Sequence, residues 1–211
     1  MLEKSWHDLL IDVNADLKFG NEIFLDLKNT YSQATRKYHN WAHIQQVIST
    51  ISEAQEIADS LPVILLSAWF HDYVCDAKAQ DNELKSAIVA EEILNKLNIC
   101  DRVIQTVKQI ILSTQKHQPI LDSIDNLILL DADLSILGTS PDSYERYSTA
   151  IRQEYRWLGD RDYQQGRKAV LTNFLSRKRI YYTDYFYQKL ESSARRNLQA
   201  EVARYSRTNL Y

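Results

Sequence analysis

Residues that interrupt helices are scarce in this chain. Its 211 residues include only four glycines and three prolines, too few for the many turns of a β-sandwich or barrel. Long helices joined by short loops fit that count better, and the length suits one domain with a sizeable core. We therefore predict an all-α fold, a helical bundle in a single domain that spans residues 1–211.

Cysteine, net charge and long apolar runs are also in short supply. Cys75 and Cys100 do not make a disulfide framework, and acidic residues near the amino terminus argue against a signal peptide, so we expect a reducing cytoplasm. The net charge of −3 sets up no strong field toward nucleic acid or acidic membranes. The longest apolar run, 62–70, is far shorter than the roughly 20 residues that span a bilayer, and we expect no membrane association.

Apolar residues recur every three or four positions along most of the chain, which predicts amphipathic helices. The clearest helix begins after Asn40, a residue type that favours helix N-termini. Its apolar face comprises Ile44, Val47, Ile48 and Ile51.

Glycine and proline mark the expected helix boundaries. A first helical stretch from Trp6 to about Tyr31 is expected to break near Gly20. Gly138 suits the left-handed position that follows a helix end, and a new helix is expected to start after it. The run 127–130 fits either a strand or a buried helix, and periodicity alone does not decide between them.

Histidine is rare, with five in the chain, so its placement carries information. His39 and His43 are four residues apart and share one side of a helix turn, while His71 and Asp72 end an apolar helix that begins at Pro62. Imidazole and carboxylate donors together suit a divalent metal ion. Taken singly, each candidate is more often a satisfied core residue or a helix cap; together they favour a metal site.

One more carboxylate is needed, and the segment LLDADLSILG offers two. Asp131 and Asp133 both lie in an apolar context where an unpaired acid would be costly. Either residue could complete the ligand set, and Asp131 could instead cap the next helix.

Three motifs of the sequence resemble those of a known family. The His71–Asp72 pair, with an upstream histidine and a downstream aspartate, resembles the HD superfamily of metal-dependent phosphohydrolases, which are all-helical. Tyr38-His39-Asn40-Trp41-Ala42-His43 is similar to the YHNxxH signature of its cyclic-nucleotide phosphodiesterase branch, and Ala132-Asp133-Leu134-Ser135 to that branch's ADLS stretch. Size and layout look more like the small bacterial HD proteins described as predicted phosphohydrolases. The motif-bearing core covers about 36–138, and C-terminal helices follow at 141–205.

The resemblance implies roles for individual residues. His43, His71, Asp72 and Asp133 would bind metal, Asp133 being preferred because the family's ligand precedes a leucine here, with Asp131 in support. His39 would be the general acid, and Asp72 would also take part in catalysis.

Four further residues are candidates for the site. His117 would complete a second metal position or contact a phosphate, or act as a plain cation at a helix end. Arg36 or Arg152 would steady a phosphate, and Glu83 would orient a ligand histidine; all three could equally be surface charges.

The implied activity is hydrolysis of a phosphomonoester or phosphodiester in a small phosphorylated or nucleotide-like substrate. It would use one or two divalent ions (Mn, Mg, Zn, Co, Ni or Fe). Two alternatives stay open, a di-iron HD-type oxygenase and a non-catalytic nucleotide- or metal-sensing module. After the His71–Asp72 pair, this chain lacks the further histidine of the phosphodiesterases, and no purine clamp is recognisable, so cyclic nucleotides are one candidate substrate among several. The sequence leaves the oligomeric state open, a homodimer being one option.

Overall fold

The chain folds into α-helices joined by short loops. The computed structural model describes the backbone of residues 2–208, and within them there is no β-strand. The α-helices, in order, are α1 (Leu2–Asp12), α2 (Leu17–Tyr31), α3 (Trp41–Glu53), α4 (Leu61–Phe70), α5 (Asn82–Lys96), α6 (Asp101–Ser113), α7 (Ile124–Asp133), α8 (Pro141–Glu154), α9 (Asp160–Ser176) and α10 (Asp184–Thr208). Short 3₁₀ helices span Gln55–Ile57 and Leu134–Gly138. The all-α prediction is confirmed, and the run 127–130 is helical.

Two compact units make up the chain, one ending at Ala132 and the other beginning at Asp133. The expected core of 36–138 with C-terminal helices after it stays a prediction. Among the described helices, none is both long and apolar enough to cross a membrane.

The first unit is built around α4, which is buried on nearly every side. Eight of its ten residues, from Val63 to Phe70, are buried, so it packs against neighbours all round rather than presenting one stripe. Beneath its end lies an aromatic cluster: the Trp69 ring centroid is 5.3 Å from that of Trp6 and 5.8 Å from that of Trp41. Such a core fixes where the polar residues after Phe70 emerge.

The break between α1 and α2 does not lie at Gly20, contrary to the prediction. It falls at 13–16, where Asn14 adopts φ 53° and the Asp16 carboxylate caps α2 by accepting a bond from the Phe19 amide. Gly20 is inside α2 and allows a close approach: a Cβ there would lie 2.2 Å from Leu10 Cδ1.

The expectation for Gly138 was also wrong. It ends the short 3₁₀ helix and has no positive φ. A Cβ at Gly138 would lie 2.6 Å from the Cβ of Leu190 and 2.9 Å from its backbone oxygen. The glycine is needed for contact with α10, not for a left-handed turn. A new helix does start after Gly138, as predicted: Ser140 caps α8, and Pro141 lies in the first turn.

In the second unit, a fully buried carboxylate joins three helices. Glu201 of α10 accepts hydrogen bonds from Tyr144 and Ser148 of α8 and from Arg167 of α9. The Arg167–Glu201 ion pair is almost entirely shielded, with side chains 9% and 0% exposed.

Candidate metal centre

Two helix ends bring His43 and His71 together. Asn40 caps α3 as predicted, its side-chain oxygen accepting bonds from the amides of Ala42 and His43, and this places His43 in the first turn. His71 directly follows the last residue of the buried helix α4. Both histidines are buried, so their polar nitrogens need partners inside the protein.

The polar atoms of His43, His71 and Asp72 converge on one point. The two Nε2 atoms are 3.3 Å apart, and Asp72 Oδ2 lies 3.3 Å from His43 Nε2 and 3.2 Å from His71 Nε2. Two ligands about 2.1 Å from one ion lie about 3.0 Å apart at a right angle and about 3.4 Å apart at the tetrahedral angle. The spacing therefore matches that of ligands on one face of a coordination shell.

A hydrogen bond sets the tautomer of His71. Its Nδ1 is 2.9 Å from the carbonyl oxygen of Ala68, and since a carbonyl only accepts, Nδ1 carries the proton. In this tautomer Nε2 is the ring nitrogen with a lone pair to offer, and it lies next to Nε2 of His43 and Oδ2 of Asp72. A backbone carbonyl in this position is the usual support of a metal-binding histidine.

The Asp72 carboxylate is held in its ionised form. Its burial would by itself raise the pKa, but the imidazoles of His71 and His39 outweigh that effect and hold the pKa of Asp72 well below its usual range. Its side chain is 21% exposed, and the inner oxygen Oδ2 is buried with no hydrogen bond of good geometry. An ionised, under-satisfied oxygen beside two imidazole nitrogens suits a cation, so these residues fit a divalent ion.

Asp133 joins this group, whereas Asp131 does not. One ligand atom from each of His43, His71 and Asp133 lies within 4.8 Å of the other two, and the three could hold a metal ion. Asp133 is the last residue of α7, whose preceding residues all belong to the first unit. Asp131 is fully buried on the same helix. The preference for Asp133 over Asp131 as the ligand stays a prediction.

His39 lies beside the cluster rather than in it. It is half-buried, and its ring centroid is 5.8 Å from that of His43 at an interplanar angle of 80°. The ring of Tyr38 contacts both, with centroids 5.0 Å from His39 and 4.8 Å from His43. His39 therefore lies next to the candidate ligand His43, and its role as a general acid stays a prediction.

The guanidinium of Arg36 is occupied by backbone carbonyls. It donates to the carbonyl oxygens of His39 and Asp72 at 3.0 and 2.7 Å and to that of Tyr73 at 2.5 Å. The structure therefore gives Arg36 a role inside the protein, and the expected phosphate contact stays a prediction.

The remaining candidates belong to other elements of the fold. Glu83 is half-buried in the first turn of α5, and His117 is a half-buried loop residue with φ 45°. Arg152, in the second unit, donates to the carbonyls of Tyr155 and Leu158, so it closes the end of α8. The ligand group found among the described residues includes none of these three.

Tyr31 was not singled out from the sequence, although it supports the site. It is fully buried, its hydroxyl donates to the Trp69 carbonyl at 2.8 Å, and its ring faces the Arg36 guanidinium at 5.0 Å. Burial, with the charge of Asp72 adding to it, raises the pKa of Tyr31 well above its ordinary value and keeps the hydroxyl protonated. The sequence carries one sign of its burial, because Tyr31 occupies a position of the apolar face near the end of a helical stretch.

Comparison with known proteins shows the fold alone. No protein-family model and no curated protein matches the chain. The chain is similar to the crystal structure of a Lactobacillus plantarum protein determined as a Northeast Structural Genomics target, with a TM-score of 0.52. The two chains are 15% identical, and the match covers 91% of this chain and 93% of the other.

Proposed function

We propose that the protein is a metal-dependent phosphohydrolase of the HD type. The observation that carries the proposal is the convergence of Asp72 Oδ2 with the Nε2 atoms of His43 and His71, each 3.2–3.3 Å from the other two. The ligand-like tautomer of His71 and the nearby Asp133 support it. The motifs that resemble the HD superfamily supply the residues at these same positions.

The candidate ligands would bind the metal that activates water and neutralises charge on the substrate. His43, His71, Asp72 and Asp133 would hold the divalent metal, one ion or two. Bound there, such an ion supplies an acidified water near neutral pH and neutralises charge on phosphoryl oxygens. Asp72 stays ionised over the physiological range and so keeps its attraction for the cation.

His39 would give a proton to the departing oxygen of the substrate. Its half-buried ring lies next to the ligand group but is not part of it, so its proton is not displaced when a cation binds. General acids of this kind contribute on the order of 10²–10⁴-fold to the rate.

The proposed substrate is a small phosphorylated or nucleotide-like molecule, because a cationic centre with a proton donor beside it suits a phosphoryl group and its leaving oxygen. Two free cysteines, one of them exposed, fit a reducing compartment, and we propose the cytoplasm.

Metal content and hydrolysis test the proposal together. We expect the purified full-length protein to contain a divalent metal by elemental analysis and to release phosphate from a nucleotide or phosphomonoester in a panel assayed with Mn, Mg, Co and Fe. His71→Ala and Asp72→Ala should abolish bound metal and hydrolysis together. His7→Ala is the matched control, because His7 is an exposed histidine of α1 and its loss should change neither.

Two results would contradict the proposal. Full metal content in Asp72→Ala would refute the ligand assignment. Bound metal without phosphate release from any substrate would refute the hydrolase, and Fe(II)-dependent oxygen uptake in the same protein would assign the site to an oxygenase.

A further inference from the structure

Arg36 joins the two chain segments that carry the candidate ligands. Its guanidinium donates to the carbonyl of His39 on one side and to those of Asp72 and Tyr73 on the other. The residue is only 7% exposed. The segment before α3 and the turn after α4 are therefore bonded to the same rigid, planar group.

Burying a guanidinium without a carboxylate partner has a desolvation cost that other groups must offset. Removing the charge from water costs several kcal/mol unless it is compensated, and within the described residues no carboxylate forms an ion pair with Arg36. Compensation comes from three carbonyl dipoles and from the ring of Tyr31, 5.0 Å from the guanidinium carbon. Asp72 and Tyr73 follow the end of α4, where the helix dipole favours a cation.

Tyr31 extends the same support to the other side of His71. Its hydroxyl donates to the carbonyl of Trp69, two residues before His71, while Arg36 holds the carbonyls of the two residues after it. The backbone on both sides of the ligand is thus fixed by one stacked pair. Neither side chain presents a charge that the cluster needs for binding a cation.

We propose that Arg36 is a positioning residue, which holds the His71–Asp72 turn in register with the segment that carries His39 and His43. The inference rests on the proposed function, since it assigns Arg36 to the assembly of that metal site. Metal ligands must be held within about 0.5 Å of the productive geometry, and loss of an outer support typically costs about 10–100-fold in metal affinity. The two bonds that cross between the segments, to the carbonyls of Asp72 and Tyr73, are the contacts best placed to provide that precision, and the bond to His39 fixes the guanidinium within its own segment.

Cobalt binding provides the test, because the visible absorption of Co²⁺ reports its ligand geometry as well as its affinity. We expect Arg36→Met to weaken Co²⁺ binding by at least tenfold and to change the absorption spectrum. Arg36→Lys keeps a single donor group and should recover part of the affinity. If circular dichroism shows that Arg36→Met does not fold, Arg36→Lys takes its place in the test.

Arg195→Met is the matched control. Arg195 also donates to backbone carbonyls, those of Leu175 and Arg177, but it lies in the second unit. We expect this variant to lose stability and to keep the cobalt affinity and spectrum of the wild type. Wild-type cobalt affinity and spectrum in folded Arg36→Met, or in Arg36→Lys where the methionine variant does not fold, would overturn the inference.

Hydrogen exchange of the metal-free protein separates this inference from the proposed function. In Arg36→Met we expect faster exchange in peptides covering 36–43 and 70–76 than in Arg195→Met. If the wild type itself binds no cobalt, the proposed function fails. Exchange then decides on Arg36 alone, and unchanged protection of both peptides would overturn the link between the segments.

Discussion

Replacing Glu201 by glutamine tests how much one buried charge contributes to the second unit. The Glu201 carboxylate accepts bonds from Ser148 Oγ at 3.0 Å, Tyr205 Oη at 2.9 Å, Arg167 Nε and Nη2 at 3.0 and 3.3 Å, and the hydroxyl of Tyr144. Glutamine keeps the volume but exchanges one accepting oxygen for an amide nitrogen. At least one donor loses its acceptor, and the charge of Arg167 loses its partner.

The expected cost follows from the burial of the pair. Breaking a buried ion pair by removing one partner costs about 3–5 kcal/mol, because an uncompensated charge stays behind. The Arg167 and Glu201 side chains are 9% and 0% exposed, so solvent screens little of that cost. A loss of this size would lower the melting temperature by about 6–20 °C in a chain of this length.

Urea denaturation followed by circular dichroism measures the change. The control is Glu145→Gln, which removes the carboxylate of an exposed pair with Arg204, whose side chains are 56% and 47% exposed; we expect at most about 1 kcal/mol there. A double variant with Arg167→Met should lose less than the sum of the two single variants, since neither charge is then left alone. Equal costs for Glu201→Gln and Glu145→Gln would refute the reasoning.

The same carboxylate predicts a pH dependence. Burial acts to raise the pKa of Glu201, but the hydrogen bonds and charge of Arg167 outweigh it and lower the pKa below its ordinary 4.5. A lowered folded-state pKa stabilises the protein above the unfolded-state value, and this contribution is lost as pH falls through the folded-state value. We therefore expect the difference in stability between wild type and Glu201→Gln to shrink below about pH 4.5, and a constant difference would contradict this.

Two further predictions concern the proposed acid and two glycines. His39→Ala should keep its metal and lose about 10²–10⁴-fold in rate, with a smaller loss for substrates that have good leaving groups; equal losses for all leaving groups in steady-state assays would count against a proton donor. Gly138→Ala should cost about 1–3 kcal/mol in urea denaturation because its Cβ meets the backbone of Leu190. Gly166→Ala, with nothing within 4 Å on α9, should instead stabilise by about 1 kcal/mol, and the same sign for both would contradict the packing argument.

The helices were predictable where periodicity and a cap agreed. Asn40 before the apolar face of α3 located both the helix and His43 within it, and the apolar run that ends at Phe70 located His71. These signals are local, since a cap and its helix lie within a few residues of each other. The grouping of His43 with His71 depended on the scarcity of histidine, with five in the chain, and on the family resemblance, because no local signal links two separate helices.

The glycines misled because a sequence does not show what a glycine faces. Gly20 was interpreted as a helix break and Gly138 as a left-handed turn, yet each is required by a residue of another helix, Leu10 or Leu190, that packs against it. The bonds of Arg36 to the backbone were not foreseen for a related reason. Its partners are backbone carbonyls, which every residue possesses, so no sequence motif indicates them.

The tryptophans of the aromatic cluster beneath α4 allow metal binding to be followed by intrinsic fluorescence. Of the four tryptophans, Trp41 and Trp69 each lie two residues before a candidate ligand, and Trp6 packs against Trp69 with its indole nitrogen bonded to the Gly20 carbonyl. Trp157 is 46% exposed and belongs to the second unit. Emission from the buried indoles of Trp6 and Trp69 should therefore be blue-shifted and readily quenched by a paramagnetic ion beside His43 and His71, whereas the exposed indole of Trp157 should emit further to the red.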